Sequence, residues 1–263
     1  LKDTHTLQKN ELEHLLNRPL HTDFPSALRY LGEPNILSRK RVAIIGSRHP
    51  TFYGREQAAH FARVLAGAGV CIVSGAAIGI DTVANCVAHS YGCTAAVLGS
   101  GLLAPYPRSN MGLFETLHRS GRGLILSEFA DTQRAEKWNF PRRNRVIAAL
   151  CDFVLVVEAA LASGSMITAR LAADLGVDVG AIPGPVHSST SQGTNLLIKE
   201  GAFCIERPEE ILERLTILGH LRGSLWETSR HESNSNQPSN QPTHSTASSG
   251  SLFEPAENCW LTY

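Results

Sequence analysis

Arg41-Val42-Ala43-Ile44-Ile45-Gly46-Ser47-Arg48 is the stretch whose reading decides the fold. A β-branched apolar run stops at Gly46 and then presents a hydroxyl and a guanidinium. Downstream, Tyr53 to Gly67 carries Ala58, Phe61, Ala62 and Leu65 at helical spacing, the signature of an amphipathic helix. Strand, glycine turn and helix together open a βαβ unit. Such a turn offers backbone N–H groups and a helix N-terminus to an anion. No Gly-x-Gly-x-x-Gly follows the strand, and Gly-x-x-x-x-Gly-Lys-Ser/Thr occurs nowhere, so neither the dinucleotide fingerprint nor the P-loop applies. A phosphate site of another kind is expected.

Working outward, the same alternation repeats. Strand-like runs are Val42–Ile45, Val70–Val73, Thr94–Leu98, Gly123–Leu126, Asp152–Val157, Val177–Ile182 and Phe203–Ile205. Helical patterns separate them at Tyr53–Gly67, Ile80–Tyr91, Asn110–Arg119, Asn144–Leu150, Met166–Leu175 and Asn195–Glu200. The strands are continuous apolar runs, as expected of a sheet covered on both faces. The pattern predicts an α/β fold with a doubly wound, mostly parallel sheet. Ligands of such sheets bind outside the carboxyl ends of the strands.

Residues 1–40 are polar, with a short helix near Leu12–Leu16 and turn signals at Pro19, Pro25 and Pro34. They read as a lead-in packed on the main domain, 41–218, since they are too short for a core of their own. Residues 219–263 form a polar tail. His231–Gly250 is rich in Ser, Asn, Gln, Pro and Thr and is expected to be disordered, while Phe253, Trp260 and Tyr263 near the end suit either a docking peptide or a remnant. The chain opens on Leu1 rather than methionine, as expected of a piece of a longer protein.

With 263 residues, 43% of them apolar, there is material for one large domain. The formal net charge is zero, so binding to a polyanion has to rest on a local basic patch. Six scattered cysteines without a CxxC pair fit free buried thiols in a reducing cytoplasm. Eleven histidines show no metal-ligand spacing, so neither a metal nor a cofactor is expected. No run approaches the length of a membrane span, and no signal peptide opens the chain.

Four constellations at the strand ends carry chemistry. Gly46-Ser47-Arg48 suits a phosphate, because the arginine fork matches phosphate oxygens bidentately; an ordinary surface arginine at a βα turn is the alternative. Ser74-Gly75-Ala76-Ala77-Ile78-Gly79 leads into a helix and either contacts a ligand or permits tight strand–helix packing. Asp81 behind it suits the helix dipole better than catalysis. Phe140-Pro141-Arg142-Arg143-Asn144-Arg145 is the sharpest signal. Pro141 is placed to start a helix, with Arg142 and Arg145 on one face. Guanidinium for phosphate and ring for base suit a nucleic-acid strand, and arginine at a helix N-terminus opposes the dipole, a local cost that points to function. Ser163-Gly164-Ser165, with Thr168 one turn on, either lines the same crevice or caps its helix. Glu128, Asp131 and Glu158 lie near strand ends, but no nucleophile or partner histidine is spaced to complete a catalytic site.

The ordered set of motifs resembles the DNA-processing protein A family (DprA/Smf). It comprises Gly46-Ser47-Arg48, Ser74-Gly75-x-Ala77-x-Gly79-Ile80-Asp81, Gly99-x-Gly101-Leu102 with Tyr106-Pro107 and Asn110, Ser127-Glu128, Phe140-Pro141-x-Arg143-Asn144-Arg145, Val157-Glu158-Ala159 with Ser163-Gly164-Ser165-x-Ile167-Thr168-Ala169, Pro183-Gly184, and Gly193-x-Asn195-x-Leu197-Ile198 with Gly201-Ala202. The match spans about Val42 to Leu215. It implies an extended Rossmann-like domain without a dinucleotide, in a non-enzymatic bacterial cytoplasmic protein that binds single-stranded DNA and loads the RecA recombinase during natural transformation. The implied DNA contacts are Ser47, Arg48, Ser74, Gly75, Gly79, Phe140, Arg142, Arg143, Asn144, Arg145, Ser163, Gly164 and Ser165. The implied homodimer contact is Asn195, Leu196, Leu197, Ile198 and Ala202, with the RecA contact overlapping it. There are departures. The N-terminal helical domain of many members is largely missing before Val42, a polar tail stands where some members carry a winged helix, and Ala76 replaces the second glycine of the usual Ser-Gly-Gly. The alternative from another class is a phosphoribohydrolase-like nucleotide-processing enzyme using the same crevice. Such enzymes carry Pro-Gly-Gly-x-Gly-Thr-x-x-Glu, whereas this chain has Pro183-Gly184-Pro185. A scaffold with a vestigial pocket is the third reading.

Overall fold

The computed structural model describes residues 3–215. Nine strands form one sheet in the order β1 (His5–Gln8), β2 (Ala27–Gly32), β6 (Gly123–Ser127), β5 (Cys93–Leu98), β4 (Cys71–Ser74), β3 (Arg41–Ile45), β7 (Phe153–Val156), β8 (Asp178–Ala181) and β9 (Phe203–Cys204). The seven strands from β3 to β9 are mutually parallel, and β2 and β1 extend the β6 side antiparallel. The helices are α1 (Lys9–Leu16), α2 (Phe52–Gly67), α3 (Ile80–Tyr91), α4 (Met111–Arg119), α5 (Asn139–Leu150), α6 (Gly164–Asp174), α7 (Gln192–Lys199) and α8 (Pro208–Arg214). The predicted doubly wound, mostly parallel α/β sheet is therefore the fold observed.

Strand periodicity builds the two layers. Every residue of β3 is buried, but alternate side chains enter opposite cores. Ala43 and Ile45 join Val73, Val97 and Val156 against α1, α5 and α6. Val42 and Ile44 join Ile72 and Leu155 against α2, α3 and α8, around Phe61 and Leu65. A smaller cluster centred on Phe114 packs α4 against Leu98 and Ile125. Each fully buried Leu, Ile or Phe contributes about 1.5–3 kcal/mol relative to exposure.

The seven strands read from the sequence are all present. Two more were missed, because β1 and β2 are half-exposed, with leucine the only bulky aliphatic residue in either, and leave no continuous apolar run. The lead-in thus supplies two strands that extend the sheet beyond β6, β1 at its edge, as well as the expected helix. Leu12, Leu16 and Leu28 enter the same core as Ala43 and Ile45. Helix α5 starts at Asn139, two residues ahead of Pro141, so the proline lies inside the first turn, where its missing N–H breaks no helical bond. The polar stretch from His231, with Phe253, Trp260 and Tyr263, lies outside the described residues.

Arg41, the first residue of the deciding stretch, is buried. Its guanidinium pairs with Asp152 at 2.7 Å and donates to the carbonyls of Leu150, Leu37 and Arg39 at 2.8, 2.6 and 2.6 Å. It closes the amino-terminal edge of the sheet, opposite the edge where ligands bind. Cys71, Cys86, Cys93 and Cys151 are buried, Cys204 is exposed, and none of these five is in a disulfide. Among the described residues, no helix is long and apolar enough to cross a membrane.

Candidate nucleic-acid interface

The chain runs β3, β4, β5, β6 to one side of β3 and then crosses back to place β7 on the other. This reversal is the topological switch point of the sheet, where the loops leaving β3 and β7 diverge and open a crevice. A cavity of about 590 Å³ lies there. Ser47 and Arg48 line it from β3, Ser163, Gly164 and Ser165 from the start of α6, and Lys137, Phe140, Arg143 and Asn144 from α5 and the loop before it. Three separate motifs of the sequence therefore meet in one place. A second cavity, about 620 Å³, lies between the lead-in and the far ends of α5 and α6. Its arginines are already engaged: Arg18 donates to the carbonyls of Ala149 and Cys151 at 2.7 Å each, and Arg145 holds Glu128 and the Asp23 carbonyl.

The rim and floor of the crevice differ in character. Arg48 is exposed at the rim, with its guanidinium 5.4 Å from the Phe140 ring centre. Arg143 forms the floor. It is buried, donates to the carbonyls of Gly75 and Val97 and to Asn144 Oδ1, and its guanidinium lies 6.0 Å from the Phe140 ring centre. Burial pulls its pKa down to about 10, Asp81 opposes that fall and Arg48 adds to it, so the group stays charged at neutral pH. Asp81 is also buried. Its carboxylate accepts from the backbone N–H groups of Gly75 and Ala77 at 3.1 and 3.4 Å. Desolvation raises its pKa, against the pull of Arg143 and those N–H groups.

The small residues of the second turn serve the floor. Ser74 Oγ donates to the Ile44 carbonyl at 2.7 Å, and a Cβ on Gly75 would come within 2.6 Å of the Arg143 guanidinium. Gly79 has φ +93° and packs against the backbone of Ser47 and Arg48, while Ile80 N donates to the Ser47 carbonyl at 3.1 Å. Ser74, Gly75 and Gly79 thus hold the crevice wall from behind and do not line it. Ala76 occupies a left-handed conformation, φ +48°, that glycine adopts without strain.

At α6 neither serine caps the helix. Ser165 Oγ donates to the Gly46 carbonyl at 3.0 Å, and the buried Ser163 Oγ has no hydrogen-bond partner among the described residues. The first-turn N–H groups, which have no partner within the helix, open onto the crevice with the positive end of the dipole. Asn144 Nδ2 braces this turn through the Gly164 carbonyl at 3.3 Å.

The arginine cluster divides. Arg142 and Arg145 share a face, as read from the sequence, but that face carries Glu128: their Nη2 atoms lie 3.3 and 2.6 Å from Glu128 Oε2. Neither lines the crevice. Glu128 compensates the arginine charge at this helix start, which gives the local cost noted in the sequence a structural answer. Glu158 accepts from Thr51 N and Oγ1 at 2.9 and 2.6 Å, and Asp131 pairs with Arg29. All three strand-end acids thus hold structural partners. Sequence reasoning missed Lys137, which sits in an aperiodic polar loop. Its one signal was proximity to Phe140.

On α7, Leu197 is buried and Asn195 brackets Gly184, accepting from its N–H at 3.2 Å and donating to its carbonyl at 3.0 Å. Leu196, Ile198 and Ala202 are half-buried against the core.

Fold and crevice together define a Rossmann-like protein that offers an anion a helix N-terminus and a cationic rim, without a nucleotide-binding glycine fingerprint. The chain belongs to the family described as DNA recombination-mediator protein A, whose model matches residues 5–216. It is 46% identical to protein Smf of Escherichia coli over 74% of this chain and 52% of that protein, and 36% identical to DNA processing protein DprA of Bacillus subtilis over 73% and 65%. The chain thus spans about half to two thirds of the length of these relatives. Among solved structures, DprA of Streptococcus pneumoniae superposes with a TM-score of 0.73 at 34% identity, covering 81% of this chain and 74% of that one. DNA processing protein A of Helicobacter pylori, a structure described for its single-stranded DNA binding mode, gives 0.69 at 33% identity, covering 81% and 95%.

Proposed function

We propose that this protein binds single-stranded DNA in the switch-point crevice and acts as a recombination mediator in DNA uptake, without catalysing a reaction itself. The observation that carries the reading is the meeting of Arg48, Lys137, the α6 N-terminus and the Phe140 ring in one cavity. A phosphate finds cations and backbone N–H groups there, and a base finds an aromatic face. Ser47, Asn144 and Ser163–Ser165 shape the phosphate position, with Arg143 beneath them. Arg142 and Arg145 add positive charge at the approach while held on Glu128.

The decisive test is a titration of single- and double-stranded oligonucleotides across a salt series. Binding should favour the single strand and weaken linearly in log–log form, with a slope of about −0.7 per phosphate contact. A salt-independent affinity, or release of free base from nucleoside monophosphates, overturns the proposal.

The resemblance extends it to loading of RecA and to a homodimer through Asn195, Leu196, Leu197, Ile198 and Ala202, acting in the cytoplasm. The part-exposed apolar side chains of Leu196 and Ile198 on α7, and of Ala202 in the turn after it, support the dimer. Ile198→Asp should shift the sedimentation profile to monomer and leave oligonucleotide binding per chain in place. An unchanged profile removes this surface from the dimer.

A further inference from the structure

The aromatic surface of the crevice continues beyond Phe140. The segment after β5 sets Tyr106 against that ring, with centroids 5.9 Å apart and planes tilted by 59°. Tyr106 is nevertheless 47% exposed, and its hydroxyl makes no hydrogen bond among the described residues. The segment is braced on both sides. Gly101 N and Leu103 N donate to the carbonyls of Gln133 and Asp131 at 2.8 Å each, and Asn110 Nδ2 reaches the Ala76 carbonyl at 2.9 Å and Thr82 Oγ1 at 2.8 Å. A large ring is thus held in water, at fixed geometry, beside a basic cavity. Core packing does not require that exposure, since the neighbouring Leu102 and Phe114 fill the cluster below.

Phe140 already carries guanidinium on its surface, from Arg48 at 5.4 Å and Arg143 at 6.0 Å. Tyr106 carries none. Two bases that stay parallel in a stack cannot each lie flat on one of two rings whose planes are 59° apart. The two rings suit a strand whose neighbouring bases have parted, each lying on its own ring, which a duplex cannot offer.

Resting on the single-stranded DNA reading, we infer that Tyr106 is a second base-stacking station, which takes the nucleotide next to the one held in the crevice. Lys137 at the rim supplies a cation for the phosphate between them. The station is indifferent to base identity, because every base has a π-face.

The test is a length series of thymidylate oligomers, from the mononucleotide upward, titrated against the parent chain, Tyr106→Trp, Tyr106→Leu, Tyr106→Ala and Arg48→Ala. The parent and Tyr106→Trp should gain affinity when the oligomer grows past the crevice nucleotide. Tyr106→Ala and Tyr106→Leu should lose about 5- to 100-fold of that gain and keep the parent's affinity for the shortest ligands. Arg48→Ala should weaken every length. An oligomer made abasic only at the nucleotide next to the crevice one should bind the parent less well than the intact oligomer, and Tyr106→Ala as well as the intact one. If Tyr106→Ala follows the parent at every length, the station does not exist. If it weakens all lengths equally, Tyr106 merely props Phe140 and the inference falls. If the parent binds no oligomer at all, the crevice reading fails first and takes the station with it.

Discussion

The guanidinium groups of Arg48 and Arg143 lie 5.4 and 6.0 Å from the centre of the same ring, yet their substitution should have different consequences. Arg48 is exposed and makes no bond that the fold needs. Arg48→Ala should leave the urea midpoint in place, weaken single-strand binding about tenfold and flatten the salt slope by about 0.7. Arg143 is buried and ties the ends of β4 and β5 to α5 through the Gly75 and Val97 carbonyls. Arg143→Ala strands those carbonyls and leaves Asp81 without its cation. Loss of about 3–5 kcal/mol in urea denaturation is expected. A stable, well-folded Arg143→Ala chain would show that the floor is not structural. At Ala76, relief of left-handed strain by glycine is worth about 1–2 kcal/mol. It is offset by a lost buried methyl of about 0.8 kcal/mol and by glycine's added chain entropy. Ala76→Gly should therefore move stability by less than about 1 kcal/mol, checked by thermal melting.

Elements were legible where their faces were uniform. β3 to β8 stand out because each is apolar along nearly its whole length, and α2 and α3 because their apolar stripes are helical. β1 and β2 were not, since a short, partly exposed strand with few β-branched residues resembles a loop. The site divides in the same way. Gly46-Ser47-Arg48 and Ser163-Gly164-Ser165 were readable as strand-end turns. The splitting of Arg142, Arg143 and Arg145 between a carboxylate and a crevice depends on Glu128, which approaches α5 from another strand and has no local signature. A test specific to the edge concerns Asp131. Arg29, and then Thr4, hold its carboxylate below the ordinary value, joining the end of β6 to β2 and to the residues before β1. A depressed folded pKa contributes stability above the unfolded value of about 3.9, and that contribution fades as pH falls through the folded pKa. The acid limb of the stability profile should be shallower in Asp131→Asn than in the parent. An identical limb would remove this pair from the acid response.

At the scale of the molecule, the winding order makes the crevice. Because β3 is followed on one side by three strands and on the other by β7, no neighbouring loop covers its exit. The crevice is thus a consequence of topology, and side chains decide only what enters it. Its width against Gly99 can be tested. A Cβ at Gly99 would meet the Phe140 ring at 2.9 Å. Gly99→Ala should push the ring into the crevice, reduce oligonucleotide affinity several-fold and leave the melting temperature within a few degrees of the parent. Unchanged affinity would mean that the ring lies outside the strand's path.

The buried arginine at the crevice floor also bears on how loss-of-binding variants would be sorted. A random library screened for lost oligonucleotide binding will return two populations. Clones altered at the rim will keep normal protein levels and fail at the ligand. Clones altered at Arg143 will be depleted from the cell before any ligand is met, because losing about 3–5 kcal/mol of stability raises the unfolded fraction that proteases remove. Abundance measured beside phenotype separates them, and scoring phenotype alone would assign a scaffold residue to recognition.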